Sequence, residues 1–195
     1  NTFRPGHADY SWQMKYGVRD YRGGGRSSAR ETLSRVAGGA VAKAFLEPRG
    51  VRARAYTLEL GGVRASVLDP EGAQDRPFGS PDPGVIDAWT ERVKEAKGQG
   101  DSLGGVVEVQ VLGVPAGLGE PVFDKLDARL AYALMGVGAV KAVEIGAGCE
   151  AARLTGSRNN DQMTPEGFLS NHAGGVLGGV SSGQPLVVRA YVKPI

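Results

Sequence analysis

The chain has 195 residues, 41% of them hydrophobic and 23% charged, a composition that supports one sizeable core and excludes an intrinsically disordered polypeptide. Its formal net charge of +2 argues neither for nor against a nucleic-acid partner, and no apolar run approaches the ~20 residues of a membrane span. Cys149 is the only cysteine, which excludes an intrachain disulfide and a thiolate zinc site; no metal is expected, no secretory-type segment is seen, and a reducing, cytoplasmic setting is the expectation.

Residues 1–25 are polar, aromatic and glycine-rich without a helical period, and they read as an extended loop that carries function. Within it the run RPGHAD at 4–9 holds His7, one of only two histidines, and histidine is the commonest proton carrier near neutral pH. Asp9 stands close enough in sequence to orient or charge it; a solvated loop histidine is the plain alternative. Positive charge gathers here as Arg4, Lys15, Arg19, Arg22, Arg26, Arg30 and Arg35, which favours an anionic ligand at this end. The run DYRGGGRSSARET at 20–32 is the most informative. Three glycines permit close backbone approach, Ser27 and Ser28 fall at a helix start where free N–H groups favour an anion, and Arg26 and Arg30 offer forked donors suited to phosphate. It is neither a Walker A loop nor a Rossmann fingerprint, and a capped helix with solvated arginines remains the alternative.

Ser28 and Glu31 form a capping box for a first helix, along which Leu33, Val36, Ala37, Ala40, Val41, Ala44 and Phe45 recur at helical spacing until Pro48 and Gly50 stop it. The small residues Ala37, Gly38, Gly39 and Ala40 predict close packing against a neighbour. Residues 51–60 and 63–68 alternate as strands joined at Gly61-Gly62, and 69–84 form a surface excursion rich in Pro, Gly and Asp. A second helix is expected over 83–98 with Val85, Ile86, Trp89, Val93 and Ala96 inward. Residues 105–113 read as a strand with Val107, Val109 and Val111 on one face. A third helix is expected over 121–135 with Phe123, Leu126, Leu130 and Leu134 on one stripe. Residues 140–145 and 186–192 are further strands. Between them the paired glycines and serines of 170–183 either wrap a planar cofactor or make tight strand connections. Strands in hairpins with single helices between them predict an α+β fold, helices layered on antiparallel sheet, in a single domain.

Five blocks in this order and spacing resemble the chorismate synthase family: RPGHAD at 4–9, GGGRSSARET at 23–32, PAGLGEPVFDKLDA at 115–128, AVKAVEIG at 139–146 and SNHAGGVLGGVSSGQP at 170–185. The resemblance spans essentially the whole chain. It implies a layered β-α-β sandwich of antiparallel sheets and helices, a homotetramer, and no nucleic-acid or membrane partner. It also implies a carbon–oxygen lyase of the shikimate pathway to aromatic amino acids. The family eliminates phosphate in an anti-1,4 sense from 5-enolpyruvylshikimate 3-phosphate to give chorismate, with reduced FMN as cofactor and NADPH as its indirect reductant. Carried over position by position, Arg26, Ser27 and Ser28 match a flavin-contact run, and Gly178 and Lys193 match further flavin contacts. Gly138 and Ala139 fall where the family commonly has Asn-Ala. His7 matches the histidine that protonates the reduced flavin, and Arg4 and Arg30 match ligands of substrate phosphate or carboxylate. The family chain is about twice as long. It opens with a segment bearing a second catalytic histidine and has a later Arg and Asp near the flavin, and it reads Lys-Pro-Thr-Ser-Ser-Ile where Lys193-Pro194-Ile195 stands here. The chain is therefore expected to be a fragment lacking the family's N-terminal and C-terminal segments. The rival expectation is a catalytically incomplete fragment that binds FMN or phosphate.

Overall fold

A computed structural model describes residues 2–23 and 30–195. The first element, α1 (Asp9–Tyr16), corrects the expectation of an extended loop. Its hydrophobic periodicity is weak and Asp9 is its only buried residue, so the pattern that announces an amphipathic helix is missing. It is held instead by the side chains gathered at Asp9 and by the Trp12 and Tyr16 rings, one turn apart with centroids at 5.0 Å. The following α2 (Arg30–Leu46) ends in a 3₁₀ turn over Glu47–Arg49 that is closed by Gly50, as Pro48 and Gly50 predict. Its expected cap, Ser28, lies outside the described residues.

The centre of the fold is an antiparallel five-stranded sheet in the order β2-β1-β3-β9-β4. Its strands are β1 (Arg52–Leu60), β2 (Val63–Arg64), β3 (Gly105–Leu112), β4 (Val140–Ile145) and β9 (Leu186–Val192). Gly61 and Gly62 both take positive φ, as a tight β1–β2 turn requires. The second strand is far shorter than residues 63–68, because Asp82 takes the backbone N–H groups of Ser66 and Val67 out of any ladder. Register pairs Ala55 with Val109 and Val109 with Val188, so Val107, Val109, Val111, Leu186, Val188 and Ala190 share one apolar face. The opposite face carries Arg54, Tyr56, Glu108, Gln110, Arg189, Glu144 and Tyr191 in neighbouring registers.

Between the strands, α3 (Ile86–Gly98) buries Trp89 against Ala65 and Val85, and the indole N–H donates to the Val63 carbonyl at 2.9 Å. The third expected helix is shorter than predicted: α4 runs Leu126–Met135. Glu120 and Asp124 bridge instead, and Phe123 is 94% exposed rather than on the stripe. Leu126 and Leu130 pack on Val51, Val114, Val176 and Leu186 together with Leu46 from the end of α2. Arg35, near the start of α2, lies over Gly136 just past the end of α4, where a Cβ would stand 2.9 Å from its Nη2. The two helices therefore run antiparallel. After β4 come α5 (Gly156–Asn159) and two short hairpins, β5 (Met163–Thr164) with β6 (Gly167–Phe168) and β7 (Val176–Leu177) with β8 (Val180–Ser181). Gly178-Gly179 makes the tight β7–β8 turn, and Gly174-Gly175 lies in the turn that leads into β7. Among the described residues no helix is long and apolar enough to cross a membrane.

Candidate active site

One carboxylate organises the N-terminal segment. Asp9 is 3% exposed, and its two oxygens accept from the Arg4 Nε at 2.8 Å, the Arg4 Nη2 at 2.6 Å and the Arg4 backbone N–H at 3.2 Å. The Arg19 Nη1 donates to it at 3.3 Å, and the His7 Nδ1 lies 2.9 Å from Oδ1. The hydrogen-bonded Arg4 guanidinium is the largest influence on this carboxyl and, with the bond from His7, holds it well below the usual carboxylate range against the opposing effect of burial. Reciprocally, the Asp9 carboxylate raises the Arg4 guanidinium.

The two arginines predicted to meet an anion converge on Gly23. The Arg4 Nη2 reaches the Gly23 carbonyl at 3.4 Å, and a Cβ on Gly23 would stand 2.7 Å from the Arg30 Nη2. Arg4, Arg19 and Arg30 thus gather with the carboxylates of Asp9 and Asp20, and His7 is tied to the cluster through Asp9; the excess of guanidinium groups suits a phosphate or carboxylate ligand. Arg4 spends its Nε and Nη2 on Asp9, while its Nη1 takes no part in those bonds.

The remaining sequence-predicted positions fall at the two ends of α4. Gly138 and Ala139 follow its C-terminal end, on the side where α2 starts, and Lys193 joins them by donating its backbone N–H to the Ala139 carbonyl at 2.9 Å. Ala139 holds φ +69°, a left-handed conformation that costs a residue with a Cβ roughly 1–2 kcal/mol. A Cβ at position 138 would meet nothing within 4 Å, so the backbone there is open to a flat group. Lys193 also lines a cleft of about 330 Å³ with Lys141, Tyr191 and Glu59, and its Nζ donates to the Pro194 carbonyl at 3.0 Å. Gly178 lies in the β7–β8 turn, whose next residue, Gly179, accepts from the Leu126 backbone N–H at the other end of α4. The ten residues of α4 separate these two groups by about 15 Å at 1.5 Å per residue. Arg26, Ser27 and Ser28 lie outside the described residues.

The model of the chorismate synthase family matches residues 1–195. The chain belongs to the chorismate synthase family. It is 66% identical over 193 residues to the chorismate synthase of Nitratidesulfovibrio vulgaris strain Hildenborough, covering 99% of this chain and 54% of that relative. Identity to the chorismate synthase of Maridesulfovibrio salexigens is 68% over 195 residues, covering 100% and 56%. A crystal structure of chorismate synthase superimposes with a TM-score of 0.88 at 38% identity, covering 96% of this chain and 63% of that one. The chain spans about half the length of the curated relatives it matches. The α+β expectation for the fold is met by the antiparallel sheet, its helices and this superposition.

Two features of this chorismate synthase family chain escape sequence reasoning. Arg19 joins the Asp9 cluster only because α1 ends at Gly17 and returns the chain toward its own start; nothing in the run of basic residues distinguishes it from Arg22. The second is the buried ladder on the polar face of the sheet. Glu108 accepts from Tyr56, from the Gln110 Nε2 at 2.9 Å and from the Arg189 Nε at 2.8 Å, while Tyr191 donates to Glu144 at 2.7 Å. A signal did exist for it: glutamate and arginine interrupt valine-rich strands at positions that register places opposite each other.

Proposed function

We propose that the chain is a single domain of a chorismate synthase, a carbon–oxygen lyase that eliminates phosphate from 5-enolpyruvylshikimate 3-phosphate with reduced FMN, itself supplied by an NADPH-dependent reductant. The observation that carries the reading is the place of Arg4, which bonds both the Asp9 carboxylate that holds His7 and the Gly23 carbonyl beside which Arg30 lies. Arg4 and Arg30 bind and orient the anionic groups of the substrate, and His7 holds the transferable proton beside them. Gly138, Ala139, Gly178 and Lys193, with Arg26, Ser27 and Ser28, would hold the cofactor; the open backbone at Gly138 and the cations near the start of α2 fit a flat ring bearing a phosphate. When bound, reduced FMN supplies electron density to the substrate as phosphate leaves, with no net redox change.

In the full-length protein, His7→Ala is expected to lower kcat about 10²–10⁴-fold, the usual span for a general acid or base, with little change in substrate binding. The assay is anaerobic turnover with prereduced FMN, and a near wild-type rate would remove His7 from the chemistry. Arg26→Ala is expected to weaken FMN by about 1.5–3 kcal/mol in a titration, the range for a charge-assisted hydrogen bond. Sedimentation of the full-length protein is expected to give four subunits in a cytoplasmic enzyme. The chain's coverage of about half its relatives favours a second reading for these 195 residues in isolation: flavin or phosphate binding without turnover. Titration and turnover of the isolated chain separate the two.

A further inference from the structure

We propose that Asp9 is a positioning residue for His7, fixing the ring tautomer so that Nε2 is the atom that takes and gives the proton. The inference rests on the reading of His7 as proton carrier and deepens it. Asp9 is ionised in this setting and an ionised carboxylate can only accept, so the 2.9 Å bond to Nδ1 requires a hydrogen on Nδ1. In the neutral ring the lone pair then belongs to Nε2, on the far edge from Asp9. The carboxylate cannot rotate to release the ring. The Arg4 Nη2 shares Oδ1 with His7, while the Arg4 Nε, the Arg4 backbone N–H and the Arg19 Nη1 all hold Oδ2. The same carboxylate therefore ties the guanidinium that meets the anion to the ring that moves the proton, and the spacing between them is set by one buried group. Ala8, the residue between His7 and Asp9, precedes the first turn of α1, and the helix fixes the Asp9 backbone from the other side.

The test is ¹⁵N-histidine NMR on the full-length protein, with His7 assigned by loss of its signals in His7→Ala. The expected result is the Nδ1–H tautomer for the neutral wild-type ring, and a shift toward Nε2–H in Asp9→Asn, whose amide can turn its NH₂ group to Nδ1. Turnover of Asp9→Asn is expected to fall about 10²–10⁴-fold, as for a displaced general acid or base, with part of the rate restored in Asp9→Glu. A wild-type ring in the Nε2–H form overturns the proposal even if Asp9→Asn fails to fold. So does an Asp9→Asn protein that keeps both the Nδ1–H form and the wild-type rate. If His7→Ala itself turns over normally, the reading of His7 fails, and the positioning role with it. A slow His7→Ala beside a fast Asp9→Asn defeats the positioning role alone.

Discussion

Glu108 sits in the middle strand of the sheet at 3% exposure, where an unpartnered carboxylate would be untenable. Burial pushes its carboxyl up, but the bonds from Tyr56, Gln110 and Arg189 outweigh that and hold it below its ordinary value. Burial and the bond to Glu144 similarly push the Tyr191 hydroxyl up to about 12. Because the folded value of Glu108 is depressed, its contribution to stability is present above the unfolded carboxylate range near roughly 4.3 and fades as pH falls below it. Glu108→Ala leaves Arg189 with only Glu144 and the Gly146 carbonyl. The expected loss is about 3 kcal/mol, the lower end for a broken buried pair because the Arg189 side chain keeps some contact with water. Urea unfolding measures it, and a loss below about 1 kcal/mol would show that Arg189 finds adequate replacement partners. At this scale the sequence exposed short-range chemistry well: His7 and Asp9 are two residues apart, and their pairing was foreseeable. It did not expose Arg19 or the Glu108–Arg189 pair, because one depends on how a helix turns the chain and the other on strand register across 81 residues.

At the level of elements, Asp82 and Trp89 fix how the 69–84 excursion and α3 meet the sheet. Asp82 accepts from the backbone N–H groups of Val67, Ser66 and Gly84, bonds that lower its carboxyl to about 2. Its stabilising effect is complete above the unfolded carboxylate range near roughly 3.9 and is lost as pH falls toward 2, so Asp82→Asn is expected to flatten the acid limb of stability over that window. Urea midpoints at neutral pH and at pH near 3 decide it; an unchanged pH slope would assign acid sensitivity to other carboxylates. Trp89→Ala empties a fully buried site and removes the indole bond to the Val63 carbonyl, for an expected cost of about 3–5 kcal/mol. The legible elements were those whose burial pattern matches their own period. Of the five residues read as inward on the second helix, Val85, Trp89 and Ala96 are buried and Ile86 and Val93 are half-buried. Where local chemistry rather than periodicity sets the structure, reading failed: α1 is built on a charged cluster, and the start of α4 is delayed by the turn at Glu120–Asp124.

Across the whole molecule, the uneven distribution of burial centres on α2. None of its residues is buried, and Leu33 and Val41 stand at 73% and 72% exposure beside exposed Val36 and Phe45. The small residues Ala37, Gly38, Gly39 and Ala40 lie on the same helix, a composition suited to close approach by another element rather than to water. The chain spans about half of its relatives, and a contiguous apolar helix left in solvent favours self-association. These 195 residues alone are therefore expected to bind a hydrophobic dye and to associate at micromolar concentration, readable by fluorescence and sedimentation. In the full-length protein the same helix is expected to be covered, and the contrast can be measured on one substitution. Leu33→Ala should cost about 2–3 kcal/mol in the full-length protein, as for a buried leucine, and within about 0.5 kcal/mol in the isolated chain, as for a surface residue. The comparison is urea unfolding of both forms. Near-zero cost in both, with no dye binding by the isolated chain, would place the α2 face in water throughout and remove close packing as the reason for its small residues.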